Sequence, residues 1–213
     1  MKSASALTAF TSALLFTVGA STVKADTYTY NVKAEIDFSG VNPAMLSRAG
    51  LDVRETLLLE MTIDSPQYPI APVSSHWHTP DRVQFEIGGR SASASGGTAG
   101  GGGIFGGMVV VDQPVGAFYN DFLGFRIEPR ALPGLPYRDL GRIYIKTRYT
   151  NNTFDSVKLP ETNAFMANLI QTTTGYMSAP YVELWVMRNG PGTGFDYATA
   201  PIRAIDISVT VTP

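Results

Sequence analysis

Residues 27–38 read "TYTYNVKAEIDF". Tyr28, Tyr30, Val32, Ala34, Ile36 and Phe38 recur at every second position, with Thr, Asn, Lys, Glu and Asp between them. In an extended chain successive side chains point to opposite faces, so this spacing predicts a strand with one face buried. The same alternation recurs downstream. "TLLLEMTID" (56–64) sets Leu57, Leu59, Met61 and Ile63 on one face, and "RVQFEIGG" (82–89) sets Val83, Phe85 and Ile87. "MVVVD" (108–112), "FLGFRIE" (122–128), "RIYIKTRY" (142–149) and "YVELWVM" (181–187) follow. "IRAIDISVTV" (202–211) closes the series with Ile205, Ile207, Val209 and Val211.

About eight strands divided by Gly- and Pro-rich turns, with few helical patterns between them, predict an all-β fold. Without crossover helices the strands pair antiparallel, as a two-layer β-sandwich that is jelly-roll-like. One or two short helices are expected. "NPAMLSRAG" (42–50) offers Asn42 as a cap, Pro43 at the first helical position and Gly50 as a stop. "ETNAFMANLIQ" (161–171) spaces Phe165, Met166, Leu169 and Ile170 for a short helix. The Gly/Ser-rich stretch "SASASGGTAGGGGIFGG" (91–107) reads as a mobile loop between two strands. A phosphate-cradling loop is excluded by context, since no "GK[ST]" follows and the chain runs on into β-branched residues.

The first 25 residues have a basic start at Lys2, an apolar stretch from about Ala6 to Ala20, and small or aliphatic residues in "VKA" before Asp26. This is the pattern of a cleaved signal peptide over residues 1–25, and it predicts a secreted chain. Its apolar core is short for a membrane span, which needs roughly 20 apolar residues, and no later segment supplies one. Residues 26–213 then form a single β-sandwich domain, long enough to build a core without staples. The chain carries 16 basic and 18 acidic residues, a net charge of −2. This balance argues against nucleic acid as a partner, because phosphate binding needs a basic surface. There is no cysteine, which excludes thiolate catalysis, thiolate metal sites and disulfides.

The order of these segments resembles that of exported bacterial β-sandwich proteins bearing a PEP-CTERM (exosortase) sorting signal. The resemblance rests on "TYTYNVKAEID", "GLDVRETLLLEMTIDSP", "DRVQFEIGG", "NDFLGFRIE", "LPETNAFMANLI" before "YVELWVM", and the closing "IRAIDISVTVTP". The Pro-Glu-Pro, membrane span and basic tail of the sorting signal itself are not found in the chain, which stops at "VTP". The resemblance implies an envelope or matrix protein at the cell surface or outside the cell. It transfers no active-site residues.

Three groups of residues are candidates for chemistry. In "SSHWHTPD" (74–81), His76 and His78 are the only histidines, and i and i+2 side chains share a face. Imidazole suits zinc or copper, and Asp81 is the nearest oxygen donor. Two ligands fall short of a site, and the flanking turn residues favour an exposed loop. Trp77, Tyr181 and Trp185 are candidates for ligand binding. In "YVELWVM" the aliphatic Val182, Leu184 and Val186 take the core side, leaving Tyr181 and Trp185 outward as a platform for sugars, or as rings covered by another layer. Among carboxylates, Glu86, Glu128, Glu183, Asp112 and Asp121 would have to form a pair across a cleft for glycoside hydrolysis, and their spacing selects none. Asp112, Asn120 and Asp121 near turns could hold calcium through oxygens, though no calcium-loop motif is present. No "GxSxG" elbow occurs, and Ser91, Ser93 and Ser95 lie in the Gly/Ser stretch.

The expectation is an exported envelope or matrix protein without enzymatic activity that acts by surface interaction, with polysaccharide as the candidate partner. The alternatives are a metal-binding protein using the His-Trp-His segment and a glycoside hydrolase-like enzyme on a β-sandwich.

Overall fold

The structure is a computed structural model. It describes residues 26–64, 66, 68–69, 73–95, 106–112, 121–129, 139–149, 153–154, 156–161, 180–188 and 194–213. The signal peptide read over residues 1–25, and all but the first residue of the helix read over 161–171, lie outside the described residues. The chain is all-β as expected. Among the described residues ten strands run in order: β1 (Thr27–Asp37), β2 (Arg54–Asp64), β3 (Ser75–His78), β4 (Arg82–Ile87) and β5 (Arg90–Ser95), then β6 (Gly106–Val111), β7 (Phe122–Ile127), β8 (Leu140–Arg148), β9 (Tyr181–Met187) and β10 (Phe195–Thr212). A helix, α1 (Pro43–Ala49), sits between β1 and β2.

The strands form one continuous antiparallel sheet, ordered β3-β6-β7-β8-β9-β10-β1-β2-β4-β5 and curled into a half-barrel. The sandwich expected from the sequence is therefore two halves of a single sheet, joined through β10 rather than closed as separate jelly-roll layers. Residues Phe195–Pro201 pair with β9, and Ile202–Thr212 pair with β1. Pro201 stands at the changeover. A proline cannot donate to a ladder and reads as a strand breaker, which is why the alternation suggested a start at 202. Here it is tolerated because one neighbouring strand ends there and the other begins.

The sheet curls for a covalent reason. β3 lies at one edge, next to β6, while β4 lies near the other edge, next to β2. Only Thr79–Asp81 separate them. Four Cα steps reach about 14 Å at most. The two ends of a ten-strand sheet are thus held within reach of one another. The Asp81 amide also bonds the Thr62 carbonyl of β2 at 2.8 Å.

The inner faces close on a shared core. Tyr30, Ala34, Phe38, Leu57, Met61 and Ile87 of the β1–β2–β4 half meet Met108, Phe125, Ile143, Ile145, Leu184 and Val186 of the other, all at 0 % exposure. Tyr30, Ala34, Phe38, Leu57, Met61, Ile87, Leu184 and Val186 are alternate positions that the sequence sets on one apolar face. Burying each of the leucine, isoleucine, valine, methionine and phenylalanine side chains contributes about 1.5–3 kcal/mol. The α1 helix forms as read. The Asn42 side chain accepts the Ala44 amide at 2.9 Å, Pro43 opens the first turn, and Gly50 ends it in the left-handed region at φ 68°.

Two loop expectations are corrected. Residues 91–95 of the Gly/Ser stretch belong to strand β5, paired with β4 from Arg82↔Ser95 to Ile87↔Arg90. The cause is the turn: Gly88 and Gly89 both have positive φ (61° and 65°), the geometry of a two-residue hairpin. Ala92 and Ala94 then point inward, with the serines outward. Likewise Ser75–His78 is no loop but an edge strand, paired with β6.

Candidate functional site

Cross-strand register places the three candidate aromatic residues on one surface, the outer face of the half-sheet formed by β3, β6, β7, β8, β9 and the first part of β10. One rung runs Trp77–Val109–Gly124–Lys146–Tyr181. Four strand steps separate Trp77 from Tyr181, about 19 Å at the usual interstrand spacing. The next rung carries Arg126–Tyr144–Glu183. Beyond it lies Arg142–Trp185–Tyr197. On the other side lies Val111–Phe122–Arg148. Along β8, Arg142, Tyr144, Lys146 and Arg148 project outward while Ile143, Ile145 and Thr147 project inward. As read from the sequence, Val182, Leu184 and Val186 take the core side, each at 0 % exposure.

Rings and cations interleave across this face. Arg126 lies 4.6 Å from the Trp77 ring, and Arg142 lies 5.3 Å from Trp185. Lys146 Nζ is 4.6 Å from Tyr144 and 5.7 Å from Tyr181. Such contacts hold a cation over an aromatic face without neutralising it. Trp77 and Tyr144 approach with ring centroids 5.8 Å apart, and Trp185 meets Tyr197 edge-on at 5.0 Å. Tyr197 is the most open ring of the group, 48 % exposed.

Two glycines make this packing fit. A Cβ on Gly124 would stand 2.6 Å from the Tyr144 ring, and one on Gly141 would stand 2.3 Å from the Phe195 ring. The bare backbone lets Tyr144 lie across β7 and lets Phe195 close edge-on against Trp185, centroids 6.3 Å apart. Glu128, Gly141, Arg142, Trp185 and Phe195 line a small hollow of about 80 Å³ there.

The carboxylates of this face are ion-paired. Glu128 accepts from Arg142 at 2.8 Å and lies 3.5 Å from Arg126, and Glu183 accepts from Lys146 at 2.5 Å. Glu86 lies elsewhere, on the outer face of the β1–β2–β4–β5 half. Glu86 is thus on a different surface from Glu128 and Glu183, so it forms no pair with them across a cleft. Asp121, read as a calcium candidate, is fully buried. Its Oδ2 accepts the Thr153 and Phe154 amides at 3.0 and 3.1 Å, anchoring the segment that follows β8. Asn120 lies outside the described residues.

His76 and His78 do share a face, with ring centroids 4.7 Å apart, but it is the inner one. His78 is 2 % exposed and its Nε2 donates to the Val157 carbonyl at 3.0 Å, which leaves Nδ1 unprotonated. Burial, with His76 adding to it, pulls the His78 imidazole down to about 4, against the opposing pull of the Val157 carbonyl. The Asp81 carboxylate is engaged by the Asp64 amide at 2.7 Å. Among the described residues no group of three or more metal-ligating side chains forms.

Arg126, Arg142, Tyr144, Lys146, Arg148 and Tyr197 were not singled out in the sequence as site residues. The signal for four of them is visible in "RIYIKTR": alternation alone puts Arg142, Tyr144, Lys146 and Arg148 on one face of β8. Among the described residues no helix is long and apolar enough to cross a membrane. A comparison with known protein families finds no matching model, and comparisons with curated proteins and with solved structures find no match.

Proposed function

We propose that this is an exported envelope or matrix protein that acts by binding polysaccharide through the outer face of the β3–β6–β7–β8–β9 half-sheet. The observation that carries the reading is the placement of Trp77, Tyr144, Tyr181, Trp185 and Tyr197 on one sheet face, interleaved with arginine and lysine. Flat rings offer apolar surface to the C–H faces of sugars, while the cations and phenol hydroxyls offer hydrogen bonds. The N-terminal stretch, read as a secretory signal, would bring this surface to the compartment where such polymers lie.

Binding here is non-covalent, and no bond is broken. The stiff sheet holds the rings in fixed register, so little ordering is needed when a chain of sugars is laid across them. Retention of the chain lacking residues 1–25 on immobilised polysaccharides tests the reading. Retention by at least one polymer, lost in a Trp185→Ala, Tyr197→Ala double variant that stays folded, is the expected result. Passage of the wild-type protein through every polymer tested would contradict it.

A further inference from the structure

Among the described residues four cations, Arg126, Arg142, Lys146 and Arg148, stand on the proposed binding face against two carboxylates, Glu128 and Glu183. The surplus is notable because the whole chain is net negative. The outer face of the other half-sheet has the opposite character, with Glu60, Glu86 and Asp206 around a single lysine, Lys33, in a hollow of about 330 Å³. The two outer faces thus differ in sign, and only one can attract a polyanion.

The surplus centres on Arg148. Arg126 and Arg142 share Glu128, and Lys146 has Glu183. Arg148 forms no ion pair among the described residues, and its Nε makes no hydrogen bond there. Its guanidinium stands 5.8 Å from the Phe122 ring and 6.0 Å from the Tyr181 ring. Yet Arg148 is only 7 % exposed. A cation withdrawn from water with no counter-charge among the described residues is costly, and a buried polar group left without a partner calls for an explanation.

We infer that Arg148, recessed between Phe122 and Tyr181 with Lys146 beside it, receives the carboxylate of a uronic-acid unit, so that the ligand of this face is an acidic polysaccharide. The inference rests on the polysaccharide reading above and narrows it. A planar guanidinium matches a planar carboxylate through two parallel N–H···O bonds. The flanking rings provide apolar walls for the sugar that bears it. From Arg148 to Arg142 the outward cations of β8 span six residues, about 20 Å, so neighbouring acidic units of one polymer meet Lys146 and Arg142 in turn. The track continues past Tyr197 to a cleft of about 440 Å³ where Arg48 and Arg188 share one carboxylate, Asp196.

Calorimetric titration with two polyuronates of different backbone, polygalacturonate and alginate, each beside its fully esterified neutral form, tests this. Wild-type protein is expected to bind an acid form about tenfold or more tighter than its ester, and Arg148→Gln to lose about tenfold towards the acid form alone. Without ligand, Arg148→Gln is expected to melt at the same temperature or higher, since it removes a buried charge that has no counter-charge among the described residues. Equal affinity for acid and ester overturns the carboxylate assignment and leaves the polysaccharide reading standing. Tighter binding of dextran sulfate than of either polyuronate also overturns it. Absence of binding to these and to neutral glycans removes both. A melting temperature lowered by Arg148→Gln would show that the guanidinium has a structural partner, and would overturn the inference by itself.

Discussion

Tyr30 of β1 and Phe125 of β7 meet with ring centroids 6.2 Å apart, although four strand steps separate their strands in the sheet. Along a flat sheet that separation would be about 19 Å. The contact is therefore made across the interior and requires the curl. Phe125→Ala removes the ring that bridges the two halves and is expected to cost about 3–5 kcal/mol, read as a lower urea midpoint. A loss below about 1 kcal/mol, the value for a surface change, would mean that the halves do not pack on one another.

Gly124 should not tolerate a side chain. The Cβ of Gly124→Ala would meet the Tyr144 ring at 2.6 Å and Val109 Cγ1 at 2.8 Å. The ring must lift from β7, at an expected cost of about 1–3 kcal/mol. Because Tyr144 packs against Trp77, the tryptophan fluorescence of the variant should shift as well. An unchanged melting curve and an unchanged spectrum would contradict the placement of Tyr144.

His78 should make the fold acid-sensitive well above the carboxylate range. Its folded-state value is about 4, depressed chiefly by burial, against 6.5 for an ordinary histidine. Between these values the unfolded chain binds a proton that the native state refuses. Stability is therefore retained above about pH 6.5 and falls as the pH drops towards 4, by about 3 kcal/mol at 1.36 kcal/mol per pH unit. Asp37 acts in a lower window. Hydrogen bonds from Ser39, and then from Arg203, hold its carboxyl at about 2 against 3.8, so its contribution is lost only as the pH falls between those values. Urea titrations at pH 7, 5 and 4 lie above the Asp37 window and so isolate the His78 contribution. In His78→Leu the slope between pH 6.5 and 4 should flatten, and a slope equal to that of the wild type would assign it elsewhere.

Asp121 should be a structural carboxylate. Asp121→Ala strands the Thr153 and Phe154 amides, which donate to its Oδ2. The expected loss is roughly 3 kcal/mol or more, because bonds to a charged acceptor contribute about 1.5–3 kcal/mol each. Added calcium should leave the melting temperature of the wild type unchanged. A rise with calcium would restore the ligand role suggested by its position near a turn.

The outward and inward assignments along β1, β2, β4 and β9 were legible because alternation is a local property, set by the pleat and the burial of one face. The caps of α1 were legible for the same reason. What escaped was non-local or depended on backbone conformation. "RSASAS" has too little side chain to announce a strand, and it becomes one because Gly88–Gly89 turns it back on β4. "SHWH" looks like a loop between prolines, and it is a strand because β6, which begins almost thirty residues later, pairs with it. Pro201 hid the length of β10. For the site, Tyr181 and Trp185 could be placed outward from their own strand. That Trp77 shares their surface depends on a rung of five strands, and no one segment contains that information. That Arg148 has no counter-charge among the described residues is likewise a property of the assembled face.

Hydroxyl-radical footprinting of the aromatic side chains, with and without a retained polysaccharide, tests the central claim most directly. Tyr197, Trp185 and Trp77 should be oxidised more slowly in the complex, while Tyr68, 36 % exposed and not among the rings of this face, should be unaffected. Oxidation of the three rings at unchanged rates under saturating polymer would place the binding surface elsewhere and contradict the account.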